Sequence, residues 1–122
     1  MIRRKRPGRL NESVACPKLD WKSDNLDYEL WIPGFYADAT IGDIGICFTT
    51  WDLLDRFNAY FTFRDNYRIS YFYSGRVDGL DGGRRLCEEV WNSICEESQY
   101  RDLSKRDITE IAEKLGWKSK NH

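Results

Sequence analysis

The side chains best suited to chemistry in this sequence are few, and their spacing disfavours most of it. The one histidine is His122, on a polar tail, so no Ser–His or Cys–His pair with an imidazole held by its neighbours is expected. The cysteines, Cys16, Cys47, Cys87 and Cys95, form no CxxC and lack the short repeated spacing of a zinc site. Acid pairs recur at Asp52/Asp55, Asp78/Asp81, Glu88/Glu89 and Glu96/Glu97. Two carboxylates can run acid–base catalysis. With fourteen acids between residues 23 and 100, however, such pairs arise by chance and read as a solvated negative face. The expectation is a chain that is not an enzyme, with no catalytic residue, metal or cofactor.

The cysteines read as free thiols in a reducing cytosol. Cys87 and Cys95 are eight residues apart within one helical pattern. That separates them by about 12 Å, beyond the ~7 Å that a disulfide allows between Cα atoms. Cys16–Cys47 is the least implausible pairing if one exists.

Two groups of residues could bind anions. The first is Arg3, Arg4, Lys5, Arg6 and Arg9, five cations with no acid among them. The whole chain carries 19 basic and 20 acidic residues, formally −1; residues 10–122 keep 14 basic against 20 acidic, or −6. A basic arm therefore precedes an acidic body. The arm could neutralise phosphates with salt-sensitive affinity, although the body would repel a polyanion. The second is the glycine-rich stretch with Gly79, Gly82 and Gly83 opening onto Arg84 and Arg85, where free N–H groups at a helix start could meet a phosphate.

That stretch, GLDGGRRLCEEV, resembles the pyrophosphate loop of acyl-CoA-dependent acetyltransferases over a dozen residues. The resemblance implies a small transferase. The family's strand pattern is missing, and Asp78 and Asp81 would repel phosphates, so a helix-capping connector is the favoured reading. DITEIAEKLGW is similar to the first helix and turn of helix-turn-helix proteins over eleven residues. Only Lys118–His122 follow Trp117, too few for a recognition helix, so an ordinary amphipathic helix is favoured.

The elements that would position these groups follow from periodicity. Leu26, Tyr28, Leu30 and Ile32 alternate with polar positions and predict a strand, which Phe35–Ala37 could continue past Pro33 and Gly34. Residues 38–43 read as a turn. Ile44, Ile46 and Phe48 predict a second strand. Thr50 as N-cap predicts a short helix over 51–58, although that run could equally continue as extended chain. Ala59–Phe63 and Tyr67–Tyr73 predict an aromatic hairpin. After a glycine loop over 74–83 the period changes. Leu86, Val90 and Ile94, with Cys87, Trp91 and Cys95 beside them, predict a helix over about 84–98. Ser104 with Asp107 three residues on predicts a capped last helix, ended by Gly116.

The predicted fold class is α+β: a mainly antiparallel sheet of about four strands with two C-terminal helices on one face. Residues 1–22 read as a largely flexible arm and 23–122 as one domain. No apolar run approaches the ~20 residues of a membrane span, and no secretory leader is read at the start, so a cytoplasmic protein is expected. The leading functional expectation is a protein-binding module, an inhibitor or immunity-type protein that blocks a basic partner such as a nuclease. Its candidate contacts are Asp24, Asp27, Glu29, Trp31, Asp52, Asp55 and Asp65. The alternative is single-stranded nucleic acid held by the arm and stacked on the aromatic sheet around Tyr67, Arg68, Tyr71, Phe72 and Tyr73.

Overall fold

Alternating side chains from residue 33 onward build one sheet, and the helical stripe that follows packs against it. In the computed structural model, residues 17–25, 33–53 and 56–121 are described. The elements are β1 (Lys22–Asn25), β2 (Pro33–Ile41), β3 (Ile44–Leu53), β4 (Arg56–Phe63), β5 (Asn66–Tyr73), α1 (Gly79–Ser98), α2 (Lys105–Lys114) and β6 (Trp117–Asn121). The sheet has six strands in sequence order, every neighbouring pair antiparallel. The class is therefore α+β with six strands rather than about four.

Register puts the apolar set on one face. Ala37 pairs with Phe48 and Phe48 with Phe61; Ala39 pairs with Ile46 and Ile46 with Phe63. Ile46, Phe48 and Phe61 are fully buried. Against them lie Cys87, Val90, Trp91 and Ile94 of α1, with Ile108 and Ala112 of α2 in the same core. The Trp91 ring meets Phe48 edge-on at 6.2 Å, and Phe61 stacks on Tyr71 at 5.0 Å between centroids. Such ring contacts add about 0.5–1.5 kcal/mol each beyond the area they bury.

Several expectations are corrected. The helix over 51–58 does not form: residues 51–53 end β3 and 56–58 begin β4, with Trp51 paired to both Gly34 and Asn58. Cross-strand pairing on two sides outweighs a favourable N-cap. The turn expected over 38–43 shrinks to Gly42–Asp43, because Asp38–Ile41 stay paired in β2. Gly42, at φ +59, takes the first central position of this two-residue hairpin, where a side chain would be strained. Residues 26–32, where a first strand was predicted, lie outside the described residues.

α1 begins at Gly79, not near residue 84. Gly82 and Gly83 are buried in its first turns, and a Cβ at Gly83 would collide with the Thr50 side chain. Gly83 lets the helix descend onto β3, and both glycines are helical rather than loop residues. β6 was not predicted. It pairs Trp117 with Tyr73, and Trp117 is 2% exposed between Phe61 and Tyr73. The last helix matches its signature: Ser104 and Asp107 form a reciprocal capping box, and Gly116 follows at φ +96.

The thiols also differ from expectation. Cys95 is disulfide-bonded, whereas Cys47 and Cys87 are free. This excludes Cys16–Cys47, because Cys47 carries no bridge on its strand.

Candidate binding surface

Residues alternating with the core set point to the other side of the sheet. The pairings Lys22–Tyr36, Tyr36–Thr49, Thr49–Tyr60, Tyr60–Phe72 and Phe72–Lys118 join into one row across all six strands. Three rings stand in the interior of the row and a lysine ends it at each sheet edge. Trp51, two residues along β3 from Thr49, packs on Tyr60 with ring centroids 6.3 Å apart. Tyr36, Trp51, Tyr60 and Phe72 are each partly exposed, while Thr49 between them is only 5% exposed.

A neighbouring row runs from Asp38 through Cys47 to Thr62. Cys47 Sγ lies 3.9 Å from Thr49 Oγ1. Burial, and then the Asp38 carboxylate, push the Cys47 thiol upward, so it is a poor nucleophile at neutral pH. Burial also raises the Tyr60 phenol, partly offset by its interaction with Thr49. Arg64 lies across Gly45 and donates to the Ala39 carbonyl at 3.2 Å and to Thr40 Oγ1 at 2.7 Å. A side chain at position 45 would displace it.

The cations of this face are unequal. Lys22 pairs with Asp20 at 3.1 Å, and Arg64 is tied to β2. Lys118 and Lys120 on β6 are exposed beside Phe72 and Ser70. Elsewhere several carboxylates are ion-paired: Asp78 with Arg76, Asp81 with Arg84, Glu97 and Asp107 with Arg101, and Glu110 with Arg106.

The predicted contact acids are not brought together among the described residues. Asp27, Glu29, Trp31 and Asp55 lie outside them, and Asp24 and Asp52 are placed only as backbone positions in β1 and β3. Asp65, in the β4–β5 turn, is ion-paired to Lys105. Arg3, Arg4, Lys5, Arg6 and Arg9 also lie outside the described residues.

At the predicted anion loop, Arg84 pairs with Asp81 and its guanidinium sits 3.9 Å over the Phe35 ring. Arg85 is exposed in α1. Of the aromatic hairpin residues, Tyr71 and Tyr73 pack against the core, Phe72 faces outward, and Tyr67 is 59% exposed. The row was missed because its members come from strands of mixed polarity, two of them unpredicted. The legible signal was Tyr60 and Phe72 falling out of phase with their core-facing neighbours.

Among the described residues no cluster of three or more His, Cys, Asp or Glu could hold a metal ion, and no helix is long and apolar enough to cross a membrane. Comparison with protein-family models, with curated proteins and with solved structures finds no match.

Proposed function

We propose that this chain is a non-enzymatic protein-binding module whose contact surface is the outward face of the sheet. The observation that carries the reading is the row Tyr36–Thr49–Tyr60–Phe72 with lysine at both ends. An apolar, ring-rich centre with a charged rim is the usual anatomy of a protein interface, and tyrosine and tryptophan are its usual anchors. Six strands at ~4.8 Å and at most about eight residues at ~3.3 Å bound the footprint at about 760 Å². That approaches the ~800 Å² each partner contributes to a standard interface. The helices, on this reading, support the sheet from its core side and leave the outward face to the partner.

Charge refines the partner. The unpaired cations beside the rings are Lys118 and Lys120, so the partner presents an apolar patch edged by carboxylates. We prefer this to the basic partner suggested by composition, because Asp65 is ion-paired to Lys105 and the other candidate acids are not brought together among the described residues. An inhibitor or immunity-type role remains the module's proposed use, by steric occlusion. Single-stranded nucleic acid fits less well. Half-covered rings offer little stacking area, and two uncommitted lysines release few counterions.

The test compares the wild-type chain with a Tyr60→Ser, Phe72→Ser double variant and a Glu89→Lys control on α1. Capture from the source cells should retain a protein that the face variant loses and the control keeps. Retention of the same protein by the face variant would refute the reading. Salt-sensitive binding of single-stranded RNA or DNA, lost in the face variant, would move it to nucleic acid.

A further inference from the structure

β6 ends the sheet, with β5 as its neighbour on one side. Ser74 N–H donates to the Gly116 carbonyl at 3.0 Å, which sets the phase of the ladder between the two strands. Antiparallel ladders alternate hydrogen-bonded with non-hydrogen-bonded pairs. Lys118 therefore bonds through its main chain with Phe72, and Lys120 with Ser70. The N–H and C=O groups of Trp117, Ser119 and Asn121 point the other way, to the open side of the strand, where no sheet neighbour meets them among the described residues. The Lys118 and Lys120 side chains stand exposed on the outward face, and neither is in an ion pair among the described residues. The opposite margin differs: β1 is four residues long, and its Lys22 is paired with Asp20.

We infer that the open side of β6 takes an extended acidic segment of a protein partner as an added strand. Main-chain hydrogen bonds at 117, 119 and 121 hold the segment, as they do wherever a strand is added to a sheet edge. On an antiparallel segment, the residues opposite Lys118 and Lys120 form the non-hydrogen-bonded pairs. There the Cα atoms stand ~4.5 Å apart and the side chains are closest. Carboxylates at those two places gain cross-strand ion pairs, and cations there are repelled. The segment thus carries acids at alternate positions, with the residue between them on the side of Ser119. A second copy is a poor occupant. Two β6 strands joined about Ser119 would set Lys118 against Lys120 twice, and edge lysines act against such pairing. This goes beyond the ring face proposed above, because the site is a main-chain edge that stays intact when the rings are changed.

The probe is a short capped peptide alternating glutamate and valine, with a lysine-for-glutamate peptide as its counterpart. Each is titrated into the full chain while amide exchange is followed by NMR. The glutamate peptide should slow exchange at 117, 119 and 121 about fivefold or more, and leave 118 and 120, already bonded to β5, unchanged. The lysine peptide should bind about tenfold more weakly, and Lys118→Glu with Lys120→Glu should reverse the preference. Ser119→Pro removes a donor on the open side, where proline is tolerated, and should abolish the protection while β3 and β4 keep theirs. If that variant loses its fold, the wild-type exchange pattern and the peptide comparison still decide. Tyr60→Ser should bind the peptide as wild type does, so the edge and the ring face fail separately. Equal affinity for the two peptides, equal protection of all five amides, or undiminished binding by folded Ser119→Pro would each overturn the added strand. Protection that grows with protein concentration in the absence of peptide would overturn it too, by placing a second copy on the edge.

Discussion

Thr50 and Gly83 show how one residue can answer for another. The Thr50 hydroxyl is fully buried with no hydrogen-bond partner, and it occupies the space that a Cβ at Gly83 would need. An orphaned buried hydroxyl costs about 1–3 kcal/mol. Thr50→Val should therefore raise stability by about 1 kcal/mol, read as a higher urea midpoint at constant slope. Gly83→Ala should lower it by about 1–3 kcal/mol through overpacking. Equal midpoints for Gly83→Ala and wild type would show that the contact yields without strain. The glycine's meaning was not legible in the sequence. A glycine cluster before a helix reads as a loop unless the strand it must approach is known.

At the scale of elements, local signatures were read correctly where they were self-contained. The Ser104–Asp107 box needs only four residues, and α2 forms as that spacing predicts. Ser104→Ala should cost about 1 kcal/mol. Asp107 also carries a pH signature. The Ser104 backbone N–H, and then Arg101, hold its carboxyl below the usual range. A lowered folded pKa contributes stability that is present above the unfolded value of about 3.9 and lost as pH falls through the folded one. Asp107→Asn should thus lower the urea midpoint at pH 7, with wild type and variant converging as pH falls through the folded value; a constant gap would assign the effect to packing. The elements misread were those decided at a distance. Residues 51–58 carry a helical start signal, yet two neighbouring strands claim them. β6 is short and polar apart from Trp117, and only its pairing with β5 makes it a strand.

For the molecule as a whole, the two sides of the sheet divide the labour. The core side holds Trp91, Phe48 and Phe61 out of water; the outward side holds partly exposed rings and two exposed lysines. Lys118→Glu with Lys120→Glu should leave the unfolding midpoint within about 0.5 kcal/mol of wild type. The same change should slow association with the captured partner and flatten or reverse its salt dependence, measured by stopped-flow mixing. Unchanged association rates would place the partner elsewhere. Composition revealed an aromatic, mixed-charge body and periodicity the class α+β, but neither showed which rings are buried, because that depends on register across six strands.

The strand order has one more implication. β6 is synthesised after the other five strands of the sheet, and until it arrives β5 offers a bare row of amides and carbonyls. A nascent chain paused after α2 would hold a nearly finished sheet with a sticky margin, and the pocket between Phe61 and Tyr73 would still await its indole. Completion of this sheet thus waits on β6, and chains that stop short of it are the ones most at risk of adhering to each other.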